Sequence, residues 1–169
     1  MYQALGQIWS DVSPGEIEEI SVPLKTPVHF GARLLHDHWK GRQAAGGFRL
    51  HRDLPTRELS PALRNLAVYE PIEKGRDFRI RVAGSAHLRR FGRDVTGQRL
   101  SDIHSDARFT DLCTALVKML KRKKPFGADI TLKKNRRERM HFEALNLPVM
   151  AETGEIWALV GIFHHDWVG

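Results

Sequence analysis

Side chains able to ligate metals or carry out catalysis occur in this chain, but local spacing does not assemble them. His36-Asp37-His38 and His164-His165-Asp166 offer ligand types in adjacent positions. Neighbours on a helix diverge by about 100°, and neighbours on a strand face opposite ways. Neither triplet converges on one ion without irregular backbone, so these histidines read as surface residues and no metal is expected. Cys113 is the lone cysteine, which excludes an intramolecular disulfide and any multi-cysteine zinc or iron–sulfur site. One free thiol suits a reducing cytosol, and the expected location is cytoplasmic. Cys113 could be combined with some His and Asp as a nucleophile set, but no spacing signals it. Asp129 or Glu143 could serve as a base, yet both fall on the polar phase of their strands, where water is the expected neighbour. Gly84, Gly92 and Gly97 lack the strand-to-helix spacing of a phosphate-binding loop. The expectation is therefore a protein that is not an enzyme.

The remaining chemistry is charge. The 169 residues carry 27 Lys and Arg against 20 Asp and Glu, a net charge of +7. Between Lys118 and Arg139 there are ten basic and two acidic residues, leaving seventeen and eighteen elsewhere. A basic stretch is the electrostatic footprint of an anionic partner. Its elements divide it, however. Lys121 to Lys124 close a helix, where cations suit the dipole, and Lys133, Lys134, Arg136, Arg137 and Arg139 cap a hairpin. A strand of about eight residues separates the two clusters by about 26 Å. The hairpin tip remains as the candidate anion or partner contact. Base stacking needs exposed aromatics, but Phe126 and Phe142 fall on an apolar phase. Nucleic-acid binding is therefore the alternative reading, not the favoured one.

The elements that would position these groups follow from periodicity. Residues 1–29 contain Pro14, Pro23 and Pro27 and read as an irregular extension, with a short strand or turn near Ile17 to Val22. A domain then spans 30–169. Phe30, Leu34, Leu35 and Trp39 mark one face of a helix, which Gly41, Gly46 and Gly47 should end. Ser60-Pro61 is a helix start. Leu66 to Glu70 is a short strand. Asp77 to Gly84 alternates as a strand, Ser85 to Phe91 is a short helix, and Leu100 to Ile103 is another helical piece. Phe109, Leu112, Leu116, Met119 and Leu120 form the apolar stripe of a long helix over about Asp106 to Lys123. Three strands follow. In the second, Met140, Phe142 and Ala144 give way to Leu145 and Leu147, a change of phase that suggests a bulge. Ile156 to His164 is apolar on both faces, as a covered central strand should be. It contains the longest apolar stretch, Ile156 to Phe163, far short of the ~20 residues that span a bilayer. Met1 to Trp9 has no basic or apolar region of a signal peptide.

This order resembles a PAS domain. The stretch Phe78-Arg79-Ile80-Arg81-Val82-Ala83-Gly84-Ser85, then Leu88, Phe91-Gly92-Arg93-Asp94-Val95-Thr96-Gly97 and Leu100-Ser101-Asp102-Ile103, is similar to the second PAS strand, its helix and its turn. Leu35 and Trp39 on a helix, followed by Leu54-Pro55-x-Arg57 and Ser60-Pro61, resemble one bacterial PAS subfamily.

The resemblance implies an α+β fold: a five-stranded antiparallel sheet with helices on one face and an N-terminal helix packing outside. It implies a non-catalytic sensory or regulatory module in bacterial signalling, acting through a small apolar ligand, an unknown signalling protein, or a homodimer formed through the leading helix. With the alternation it puts Phe78, Ile80, Leu112, Leu116, Ile130, Phe142, Leu159 and Phe163 on the walls of a ligand pocket; the plainer alternative is that they fill a core. No cofactor is expected. Haem-binding relatives use a His on the long helix, and none lies between Asp106 and Lys124; His104 just precedes it and reads as a surface residue. Flavin photosensors place a reactive Cys on the preceding short helix, whereas Cys113 lies within the long one and reads as a small buried residue.

Overall fold

Alternation and turn chemistry produce six strands and four helices over residues 17–165, the part of the chain that the computed structural model describes. In chain order these are β1 (Ile17–Leu24), α1 (Phe30–Ala44), β2 (Leu66–Ile72), β3 (Asp77–Ala83), α2 (Ser85–Phe91), α3 (Leu100–Ile103), α4 (Asp106–Arg122), β4 (Phe126–Lys134), β5 (Arg137–Met150) and β6 (Ile156–His164). A 3₁₀ turn, Ser60–Asn65, leads into β2. The strands form one antiparallel sheet in the order β1-β4-β5-β6-β2-β3. The fold class is α+β, as expected, with six strands instead of five.

The sixth strand is β1. Ile17 to Leu24 pairs along the whole of β4, from Ile17 opposite Lys134 to Leu24 opposite Gly127. The short strand or turn expected near Ile17 to Val22 is a strand, and it runs on to Leu24. Pro23 fits because β1 is an edge strand, where a missing N–H is tolerated. Residues 1–16 of the expected extension lie outside the described residues.

Period-two alternation splits β6 between two cores. Leu159 and Phe163 face α1 and pack with Ala32, Leu35 and Trp39. Ala158 and Val160 face the other way and pack with Cys113, Leu116 and Met119 of α4. The Phe163 ring lies in a slot made by two glycines: a Cβ on Gly31 would sit 2.8 Å from it, and one on Gly161 2.6 Å. The Trp39 indole N–H donates to the Pro148 carbonyl at 2.8 Å, tying α1 to β5.

Three local expectations are corrected. Helix α1 runs through Gly41 and stops before Gly46 and Gly47, whose φ values are +110° and +119°. Phe30 is 69% exposed, because the first turn of α1 overhangs the core. No bulge separates Ala144 from Leu145: β5 pairs without a shift through both residues, and the ladder slips instead between Leu132 and Lys133. Strand β5 simply buries both of its faces there, with Ala144 and Leu145 in different cores.

Candidate functional site

Between the sheet and the helices α2–α4 lies a cavity of about 410 Å³. Its apolar walls come from Phe91, Leu112, Phe126, Ile130, Phe142 and Val160, with Ala144 and Ile162 between them. Of the eight residues expected on the pocket walls, three are there: Leu112, Ile130 and Phe142. Phe78, Ile80 and Leu116 are fully buried and fill the core beside it. Leu159 and Phe163 are on the opposite face of the sheet, where strand alternation sends them against α1.

Polar groups also line this cavity, and sequence periodicity gave no warning of most of them. Tyr69, Arg90 and Asn146 are 3%, 7% and 5% exposed, so they form its inner part. Arg90 lies on the same helical face as the fully buried Ala86, four residues earlier. Its guanidinium is 4.8 Å from the Phe91 ring centroid and 5.9 Å from that of Phe142. Burial lowers the Arg90 pKa to about 10 while Tyr69 pulls it up, so the group is still a cation at neutral pH. Burial pushes the Tyr69 phenol up despite the Arg90 charge, so it is a neutral hydroxyl. The Asn146 amide donates to the Phe126 carbonyl at 3.5 Å. Glu19, Ser21, Arg108 and Asp111 line the outer part, with Glu19 and Arg108 ion-paired. His104 also lines the cavity, and burial followed by the Arg90 charge holds its imidazole low. The expected surface role for His104 is thus corrected. One signal was legible: Asn146 continues the apolar phase of Phe142 and Ala144.

The other candidates separate cleanly. Cys113 is 7% exposed, and burial followed by the Asp77 charge raises its thiol to about 11, so it is a poor nucleophile. Glu143 is buried, not hydrated; its carboxylate accepts from the Val28 and His29 backbone N–H groups at 3.1 and 2.9 Å, at the start of α1. Asp129 meets His141 and His165 across strands. At the β4–β5 turn, Asn135 and Arg136 have φ of +54° and +62°, suiting a two-residue hairpin. Arg136, Arg137 and Arg139 are exposed there, while Lys133 and Lys134 are half-buried. The nine residues of β4 separate this tip from Lys121 to Lys124. A shallower depression of about 610 Å³ lies outside α4, between Gly75 and Arg122, away from Arg90 and Tyr69.

A family model described as PAS domain matches residues 28–164. The chain belongs to the PAS domain family. No curated protein and no solved structure matches it. In this PAS domain the match begins after β1, so the sixth strand lies outside the matched region. The cavity residue Arg90 and the hairpin both lie within it. Among the described residues, no helix is long and apolar enough to cross a membrane.

Proposed function

We propose that this PAS domain is a non-catalytic sensory module whose signal is a small organic anion with an apolar body, held in the cavity between the sheet and α4. The observation carrying this reading is that the buried Arg90 cation, the Tyr69 hydroxyl and Asn146 line the same cavity as the apolar Leu112, Ile130, Phe142 and Val160. A guanidinium presents a fork of donors that matches a carboxylate. The aromatic and aliphatic walls match a hydrocarbon body, and the volume lies within the usual range for small-molecule sites. The expected small apolar ligand thereby gains a charged head. The lone buried cysteine supports a reducing, cytoplasmic setting. Helix α1 with Trp39, and the Leu54-Pro55-Thr56-Arg57 stretch, support the bacterial subfamily. The exposed hairpin tip supports contact with an acidic signalling partner, and α1 is the element through which a homodimer would form. Two separated basic clusters support nucleic-acid binding less.

Calorimetry with octanoate and phenylacetate, each against its neutral amide, tests the ligand class. The acids should bind at least about tenfold tighter than their amides, the scale of one charge-assisted hydrogen bond. Arg90→Met should remove that preference. Equal binding of acid and amide, or no binding of either, would overturn the reading. Native mass spectrometry of the protein from its own host would report any bound molecule and the stoichiometry together.

A further inference from the structure

We propose that Asp129, His141 and His165 bind one divalent cation of the zinc type, on the sheet face opposite the cavity. The three residues come from β4, β5 and the position just after β6. The register that sets Ile130 opposite Phe142, and Phe142 opposite His164, brings 141 beside 165 and diagonal to 129. This convergence is what no local triplet could achieve. His164 points the other way, with its Nε2 3.1 Å from the Ala86 carbonyl. Asp166 lies outside the described residues.

Both imidazoles aim the same nitrogen at one carboxylate. His141 Nε2 is 2.9 and 2.8 Å from the two Asp129 oxygens, and His165 Nε2 is 3.1 Å from Oδ1. One ligand atom from each residue lies within 4.8 Å of the others. Two ligands bound at about 2.0–2.1 Å stand about 2.9 Å apart at a right angle and about 3.3 Å apart at the tetrahedral angle. The nitrogen–oxygen separations are thus near those a shared ion requires, and the ion would replace the shared protons.

The donor set selects the ion. Two imidazoles and one carboxylate suit zinc, nickel, cobalt or iron(II), whereas calcium and magnesium take oxygen ligands. Side-chain exposures of 32% for Asp129, 36% for His141 and 32% for His165 leave an open side for water as a further ligand. Glu138 Oε1 lies 3.9 Å from His141 Nδ1, the side from which a second carboxylate orients a ligating imidazole. His29 is a neighbour and not a ligand: its ring is 5.9 Å from His165, and its Nδ1 accepts from the Gly31 N–H at 3.0 Å. The ion would tie three adjacent strands together beside the start of α1.

The test uses the full chain after chelator treatment, titrated with zinc by calorimetry and with cobalt by visible absorption. One equivalent should bind, with a cobalt ligand-field band and a raised unfolding midpoint in zinc. Asp129→Asn, His141→Ala and His165→Ala should each weaken binding by about 100-fold or more, since loss of an outer-shell partner alone costs roughly 10–100-fold. His51→Ala, at an exposed position, should change nothing. Imidazole NMR of the wild-type chain gives a readout independent of how the variants fold: zinc should shift the His141 and His165 signals most. No saturable one-to-one binding up to about 1 mM, shifts centred on other histidines, or full affinity retained in any of the three variants would overturn the site. The cavity reading shares no residue with it, so either can fail alone.

Discussion

Single residues hold this fold at points where backbone and charge leave little room. A Cβ on Gly84 would stand 2.3 Å from the Arg64 carbonyl oxygen, and that neighbour is backbone. Gly84→Ala should therefore destabilise by about 2–3 kcal/mol, the scale of an overpacked site. Gly41 has open space around its Cβ position and lies inside α1. Gly41→Ala should instead stabilise by roughly 0.5–1 kcal/mol. Urea denaturation of the two variants reads both signs. Asp53 is fully buried and accepts from the Arg49 N–H at 2.7 Å, with Arg52 at 2.7 Å and Arg42 at 3.2 Å from its oxygens. Burial pushes its carboxyl up, but these bonds and charges hold it below the ordinary value. Asp53→Asn should cost about 2 kcal/mol at neutral pH, the scale of a charged hydrogen bond. Because the folded pKa is the lower one, that difference should shrink as pH falls through the acid range. At this scale the sequence was least legible. Arg90 and Tyr69 are polar residues whose burial depends on α2 and β2 meeting a helix distant in sequence. His141 and His165 meet only through the register of three strands.

Elements were far more legible, because their signals are local. The stripe of α4 and the alternation of β3 and β4 appear where period and capping place them. The phase change in β5 was real in the sequence, but it marks burial of both faces and not a bulge. Strand β1 was the hardest, since its Pro23 argues against a strand until the edge position is known. Its docking covers β4 and sets Glu19 and Ser21 into the cavity lining. Deleting residues 1–24 should expose the β4 edge, lower the unfolding midpoint and promote association, as open edges do. Thermal denaturation with light scattering would read both effects; an unchanged midpoint in monomeric protein would show that β1 is dispensable.

For the molecule as a whole, buried histidines make stability depend on pH. His87 is fully buried with its Nε2 2.9 Å from the Asn65 carbonyl. Burial, outweighing its backbone hydrogen bonds, lowers its pKa from 6.5 to about 4. The unfolded chain binds the proton first, so this contribution is present above about pH 6.5 and is lost as pH falls towards 4. Urea midpoints measured across that window should fall, and His87→Gln should flatten the fall. The basic charge, which first reads as one patch, is distributed over two ends of β4. The sheet order has one further consequence, in time instead of space. Ile17 pairs with Lys134, and Leu24 with Gly127, so the first strand waits for more than a hundred residues before its partner exists. At synthesis rates of roughly 5–20 residues per second that wait is on the order of 5–20 s. The cavity walls Phe142 and Val160 are made later still, so throughout that wait there is no cavity for Glu19 and Ser21 to line, and the cavity closes only after β6 has been synthesised.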